Sequence, residues 1–210
     1  MTRRTVLLSM AKIRQVVSLV LAAAISAPLF LVAAAFASNY KARVDAARYL
    51  RIVMPLRLGT SYDAAVTQLR NAGVAADPTT RFDDCPRDCT LIFTVGDVWL
   101  YRLHLAPPVG FYGRLDFKNG ALVYKVTSLG QDVMVWNAAV SEGSSLEPHL
   151  GANVDSSGQI RQIHINLSPS DSTEFRSTAY DFKLACIGSM RGCTAVDYLP
   201  WNDLRRLATK

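Results

Sequence analysis

Four cysteines and three histidines are the residues of this sequence best suited to chemistry. Cys85 and Cys89 lie in Asp83-Asp84-Cys85-Pro86-Arg87-Asp88-Cys89, and Cys186 and Cys193 form a second close pair. A zinc site favours C-x-x-C pairs with further cysteines or histidines at matched spacing, and neither pair has that form. A thioredoxin-like redox site also wants C-x-x-C, placed at a helix N-terminus where the dipole lowers the thiol pKa. Cys85 and Cys89 are one residue too far apart for it, and their acidic neighbours disfavour a thiolate. Cross-linking is the chemistry that remains. Four cysteines allow three connectivities, and the local one, Cys85–Cys89 with Cys186–Cys193, is expected. No metal or cofactor is expected.

The histidines are His104, His149 and His164. His104 and His164 fall in expected strands. Beside an acid such as Asp116 they would form an acid–base constellation, and an extracytoplasmic hydrolase is the alternative functional reading. No nucleophile elbow, H-E-x-x-H, Walker A or Rossmann glycine fingerprint accompanies them. Ser9-Met10-Ala11-Lys12 matches the S-x-x-K motif but stands in a basic tail with no domain around it. Asp83, Asp84 and Asp88 lack the spacing of a calcium loop. Phe111, Tyr112 and Trp201 are candidate partner contacts, because aromatic side chains on loops rich in proline and glycine suit binding hot spots. The competing expectation is that these rings pack beneath a sheet.

The elements that must hold these residues begin with an apolar stretch, Val16 to Ala37, that carries no charge. As a helix it would span roughly 33 Å, enough for a bilayer core. Two readings stay open: an uncleaved anchor, and a signal peptide cut near Ala37, after the small-x-small site Ala35-Phe36-Ala37. Arg3, Arg4, Lys12 and Arg14 precede it. Without those four, 19 basic residues face 17 acidic ones, so the net charge falls from +6 to +2. A remainder so close to neutral has no nucleic-acid footprint. Disulfides persist in oxidising compartments, which places the domain outside the cytoplasm, in the periplasm or at the cell surface.

Asn39 to Met54 continues with helical spacing, with Tyr40, Val44, Ala47 and Leu50 or Arg51 as the expected stripe and Pro55 as the stop. Thr60-Ser61-Tyr62-Asp63 reads as a capping box opening a short helix that ends at Gly73. Thr90–Trp99 and Tyr101–Leu105 read as strands, as does Val133–Val140. Asn119-Gly120 and Asp155-Ser156-Ser157-Gly158 each join two alternating runs as a hairpin. Thr173–Ile187 reads as a helix, and a short one is expected to follow Pro200.

Leu58-Gly59-Thr60-Ser61, a short helix and a hairpin ending Asp116-Phe117-Lys118-Asn119-Gly120 together resemble the small outer-membrane assembly lipoproteins. The chain departs from them in having no lipid-attachment cysteine after its apolar segment and a disulfide-bearing C-terminal half.

The expected fold class is α+β: a membrane-spanning helix or signal peptide, then a helix, an antiparallel β-meander and C-terminal helices, stapled by disulfides. Residues 1–15 form a basic cytoplasmic tail, 16–38 the anchor or signal peptide, and 39–210 one extracytoplasmic domain. The expected function is non-catalytic binding of an envelope or cell-surface partner through the sheet or the aromatic loops. The N-terminal helix would supply contact with the membrane.

Overall fold

The computed structural model describes residues 3–74, 77–78, 85–96, 98–132, 135–143, 146–147 and 149–209. It is α+β, with one long N-terminal helix, a mixed sheet and short C-terminal helices.

Helix α1 runs without a break from Arg3 to Val53, 51 residues, with Pro28 inside it. Among the described residues it is the one helix long and apolar enough to cross a membrane by length and composition. Its C-terminal part is clamped into the domain. Ala35, Asn39, Ala42, Ala46, Tyr49 and Val53 are all buried, at alternating steps of four and three. That stripe differs from the expected one. Tyr40 is 71% exposed, and Val44 and Ala47 are half-buried. The alanines let the helix approach closely, and Asn39 is buried because its side-chain amide donates to Gly188 O at 3.3 Å.

Helix α2 (Tyr62–Asn71) starts at Ser61, whose hydroxyl accepts from Ala64 N, and it buries Ala65 and Leu69. The sheet strands are β1 (Asp77–Pro78), β2 (Cys89–Gly96), β3 (Gly110–Lys118), β4 (Ala121–Asp132), β5 (Val135–Gly143), β6 (His149–Val154) and β7 (Ile160–Leu167). Their order is β1-β2-β3-β4-β5-β7-β6. The meander holds from β2 to β5 and then fails, because β7 pairs parallel to β5 and β6 lies outside it at the edge. Asn119 and Gly120, both with positive φ, make the tight turn between β3 and β4.

The segment after β2 also departs from expectation. It forms a short helix, α3 (Val98–Arg102), where strand was expected for Trp99 and for Tyr101–Leu105. Its apolar and aromatic composition suits a strand, but the segment packs on α1 in place of a neighbouring strand. The expected Thr173–Ile187 helix is also shorter. α4 (Thr173–Ala179) ends, and a single 3-10 turn at Leu184–Cys186 follows. The short helices α5 (Ala195–Tyr198) and α6 (Trp201–Ala208) close the chain.

The core lies between the helices and one sheet face. Leu91, Phe93, Phe111, Leu115, Val140 and Ile165 point into it from the strands. Tyr49 enters from α1, stacked on Phe93 at 4.6 Å and edge-on to Phe111 at 5.8 Å. Gly113 makes room for it, since any Cβ there would collide with the Tyr49 ring.

The core also holds a charged cluster. Lys125 on β4 is fully buried and sits 3.0 Å from Glu142 Oε2 on β5. Its ammonium donates to Val53 O at 3.0 Å, at the end of α1, and just past it to Met54 O at 3.4 Å and Leu56 O at 2.6 Å. A helix C-terminus leaves carbonyls unpaired and carries partial negative charge, so a cation suits it. Arg176 of α4 takes the other Glu142 oxygen at 2.6 Å. Burial lowers the Lys125 pKa, and the Glu142 carboxylate offsets part of that shift.

Candidate functional site

The four cysteines stand in two pairs at disulfide distance, Cys85 with Cys89 and Cys186 with Cys193, which is the expected connectivity. The first pair pins the entrance of β2, where Cys89 is buried. The second closes the loop whose Gly188 carbonyl accepts from Asn39 of α1. Asp83 and Asp84 lie outside the described residues. Asp88 accepts from Asn119 N at the β3–β4 turn, so it fastens the disulfide loop to the sheet. Among the described residues no group of three or more histidine, cysteine, aspartate or glutamate side chains is placed to hold a metal.

The histidines do not converge on Asp116. His104 lies in the turn after α3 with φ 56°. Asp116 on β3 and His164 on β7 are separated by two intervening strands and offset by four residues in register. That amounts to about 14 Å across the sheet and about 13 Å along it. Asp116 is instead held by Arg114 Nε at 2.8 Å and the Thr90 hydroxyl at 2.7 Å.

The aromatic candidates separate. Phe111 is completely buried, so its ring is not offered to a partner. Tyr112 is half-buried on the opposite sheet face, beside Arg114. Trp201 is half-buried against the core at the start of α6.

The sheet face away from the core helices carries a polar array across β3, β4, β5 and β7. Its members include Tyr112, Arg114, Tyr124, Ser141 and His164. The Ser141 hydroxyl donates to Asn166 Oδ1 at 2.7 Å. At the end of this array His149 folds its ring over Gly151, which is paired with His164 across the hairpin. Burial lowers the His164 pKa, and the neighbouring His149 adds to the effect.

The two edges of the sheet are treated differently. Strand β1 is two residues long and contains Pro78, which blunts it against further pairing. Strand β6, His149-Leu150-Gly151-Ala152-Asn153-Val154, has six residues with neither lysine nor proline. Val154 is 56% exposed. One long side of β6 is paired with β7, and no described strand pairs the other. A groove of about 680 Å³ adjoins the start of β6, lined by the apolar Leu150, Phe175 and Leu207 and the polar His149, Asp171 and Glu174. Such an edge can accept an extended segment as a further strand, with the groove receiving its alternate side chains. Sequence reasoning gave β6 as half of a hairpin but not as an edge. That depends on β7 pairing with β5, which no local signal encodes.

No protein-family model matches the chain, and no curated protein or solved structure is detectably similar to it.

Proposed function

We infer that this is a membrane-tethered, extracytoplasmic, non-catalytic domain that binds another envelope protein by accepting an extended segment of it along β6. The free β6 edge and its groove carry this reading. The groove's lining, which mixes apolar side chains with Asp171 and Glu174, suits a segment that alternates apolar with basic residues. Uncleaved α1 fits the packing, because a cut near Ala37 would fall in an unbroken helix between two buried residues, Ala35 and Asn39. The two cysteine pairs support a location outside the cytoplasm.

The test is site-specific photo-crosslinking from Val154 in the full-length chain within its own membranes. One dominant envelope protein should be captured through an apolar–basic segment. The capture should disappear when Asn153→Lys places a charge on the edge. Capture that is indifferent to Asn153→Lys, or absent altogether, overturns the reading.

A further inference from the structure

The apolar segment of α1 ends at Ala37, yet the domain already touches the helix at Ala35, which is 1% exposed beneath Leu100 and Ala106. The α3 turn therefore sits beside α1 at the level where the apolar stretch gives way to polar sequence. The face it turns outward is apolar. Trp99 is 51% exposed, Tyr101 50%, and Leu103 and Leu105 are each 37% exposed. Met190, in the loop closed by Cys186 and Cys193, is 61% exposed and adjoins Tyr101 and Leu105. On α1 itself Phe36 and Tyr40 flank the same level and are exposed. Among the described residues the other exposed large apolar side chains are mostly in the membrane segment, so this patch is a local concentration.

Its composition matches one occupant. Tryptophan and tyrosine concentrate where lipid headgroups meet hydrocarbon, with leucine and methionine reaching below them. From Val98 to Gly110 the chain carries Arg102 and His104 and no acidic residue. Arg102 lies over the Trp99 ring, 5.9 Å from its centroid, which keeps a cation at the aromatic surface. Cations at that depth favour anionic headgroups.

We propose that the α3 turn and Met190 form a second, interfacial membrane contact, a collar that beds the domain into the bilayer surface around the exit of α1. The proposal rests on the reading of α1 as an uncleaved anchor and adds a lipid-facing site to it. The partner is the lipid surface of the same membrane, with anionic headgroups preferred. Held this way, the domain meets the bilayer at α3 and has the β6 groove left for protein.

The full-length chain should be reconstituted in vesicles of zwitterionic and anionic phospholipid. Two measurements are then made together: resistance to alkaline extraction, and quenching of tryptophan emission by lipids brominated near the headgroup end of the acyl chain. The expected result is an integral protein with a quenched component that is lost in Trp99→Phe. Replacing the anionic lipid with zwitterionic lipid should weaken that component. Tyr101→Ser should weaken it while leaving Trp99 in place. An integral protein whose quenching is unchanged by Trp99→Phe overturns the collar and leaves the anchor standing. Dimers cross-linked through this face without lipid quenching assign it to a second copy and likewise overturn the collar. A chain released by alkali, or beginning at Ser38, overturns the anchor and the collar together.

Discussion

Lys125 of β4 donates a 2.6 Å hydrogen bond to the carbonyl of Leu56, just past the end of α1, from a position with no exposed surface. A single side chain thus joins the centre of the sheet to the point where the long helix stops. Such a group is often read as functional, because perturbed ionisable residues cluster at active sites. Here every direction around the ammonium is accounted for by carbonyls, by Glu142 and by the Tyr180 ring at 5.4 Å. It acts as a structural fastener.

Lys125→Met should therefore destabilise the domain by about 3 kcal/mol, since it removes one partner of a buried pair and uncaps three carbonyls. Adding Glu142→Gln should recover part of that loss. Urea unfolding of the full chain in detergent, followed by near-ultraviolet circular dichroism, measures both. A neutral Lys125→Met would mean that the carbonyls find water.

Gly113→Ala should cost about 1–3 kcal/mol by overpacking, because Tyr49 is held between Phe93 and Phe111 and cannot step aside. Tyr49→Phe should be neutral or slightly stabilising, since the Tyr49 hydroxyl is buried with no hydrogen-bond partner among the described residues. In the double variant the cost of Gly113→Ala should persist, because the ring carbons nearest the new Cβ remain. The same unfolding assay tests all three.

Much of this was legible beforehand, and the misses share a cause. Asn119-Gly120 announces its turn because its chemistry is local, whereas the expected capping box slips by one residue: Ser61 caps α2, and the Thr60 hydroxyl turns back to Arg57 O. The cysteine pairs were legible because their close spacing constrains them. The buried stripe of α1 was not, because it is built from alanines and Asn39 and depends on the loop at Gly188. The segment from Trp99 to Leu105 looks like strand, yet its setting is α1, so tertiary packing overrides its propensity. Lys125 reads in the sequence as an ordinary polar position. Its burial is decided by where α1 ends.

His164 gives a pH prediction with a definite sign. Its folded pKa is lowered by burial and by His149, so the neutral form is favoured in the folded state. The stability this contributes is complete above the unfolded value of about 6.5 and declines as pH falls from there toward the folded pKa. Thermal unfolding should show a steeper loss below that value for the wild type than for His164→Gln. Identical pH profiles would show that the ring is solvated.

Asp155 behaves oppositely as a group but with the same outcome on acidification. Four donors, from Ser157, Gln159 and Arg161, hold its carboxyl well below the usual range. Its contribution is present above the unfolded carboxylate value and is lost as pH falls through the folded one. Asp155→Asn should loosen the β6–β7 hairpin at neutral pH and remove its acid sensitivity. Hydrogen exchange at Asn153 and Gln162 reports both effects.

Replacing Cys186 and Cys193 together by serine should cost about 2–3 kcal/mol and free the loop that holds Asn39. Limited trypsin digestion should then cut faster at Arg191, which is exposed in the bridged loop. Equal cleavage with and without the bridge would contradict this.

On the reading of α1 as an uncleaved anchor, its unbroken course makes it a mast and not a leash. A flexible linker lets a domain sweep a volume and sets an effective concentration for its partner. A helix with neither break nor swivel between its apolar stretch and Val53 fixes both the distance of β6 from that stretch and the direction it faces relative to it. Height and heading are then coupled, for each added residue lifts the domain by about 1.5 Å and turns it by about 100°. One residue inserted before Ala35 would turn β6 by about 100° relative to the apolar face of α1 below it, with every contact inside the domain intact.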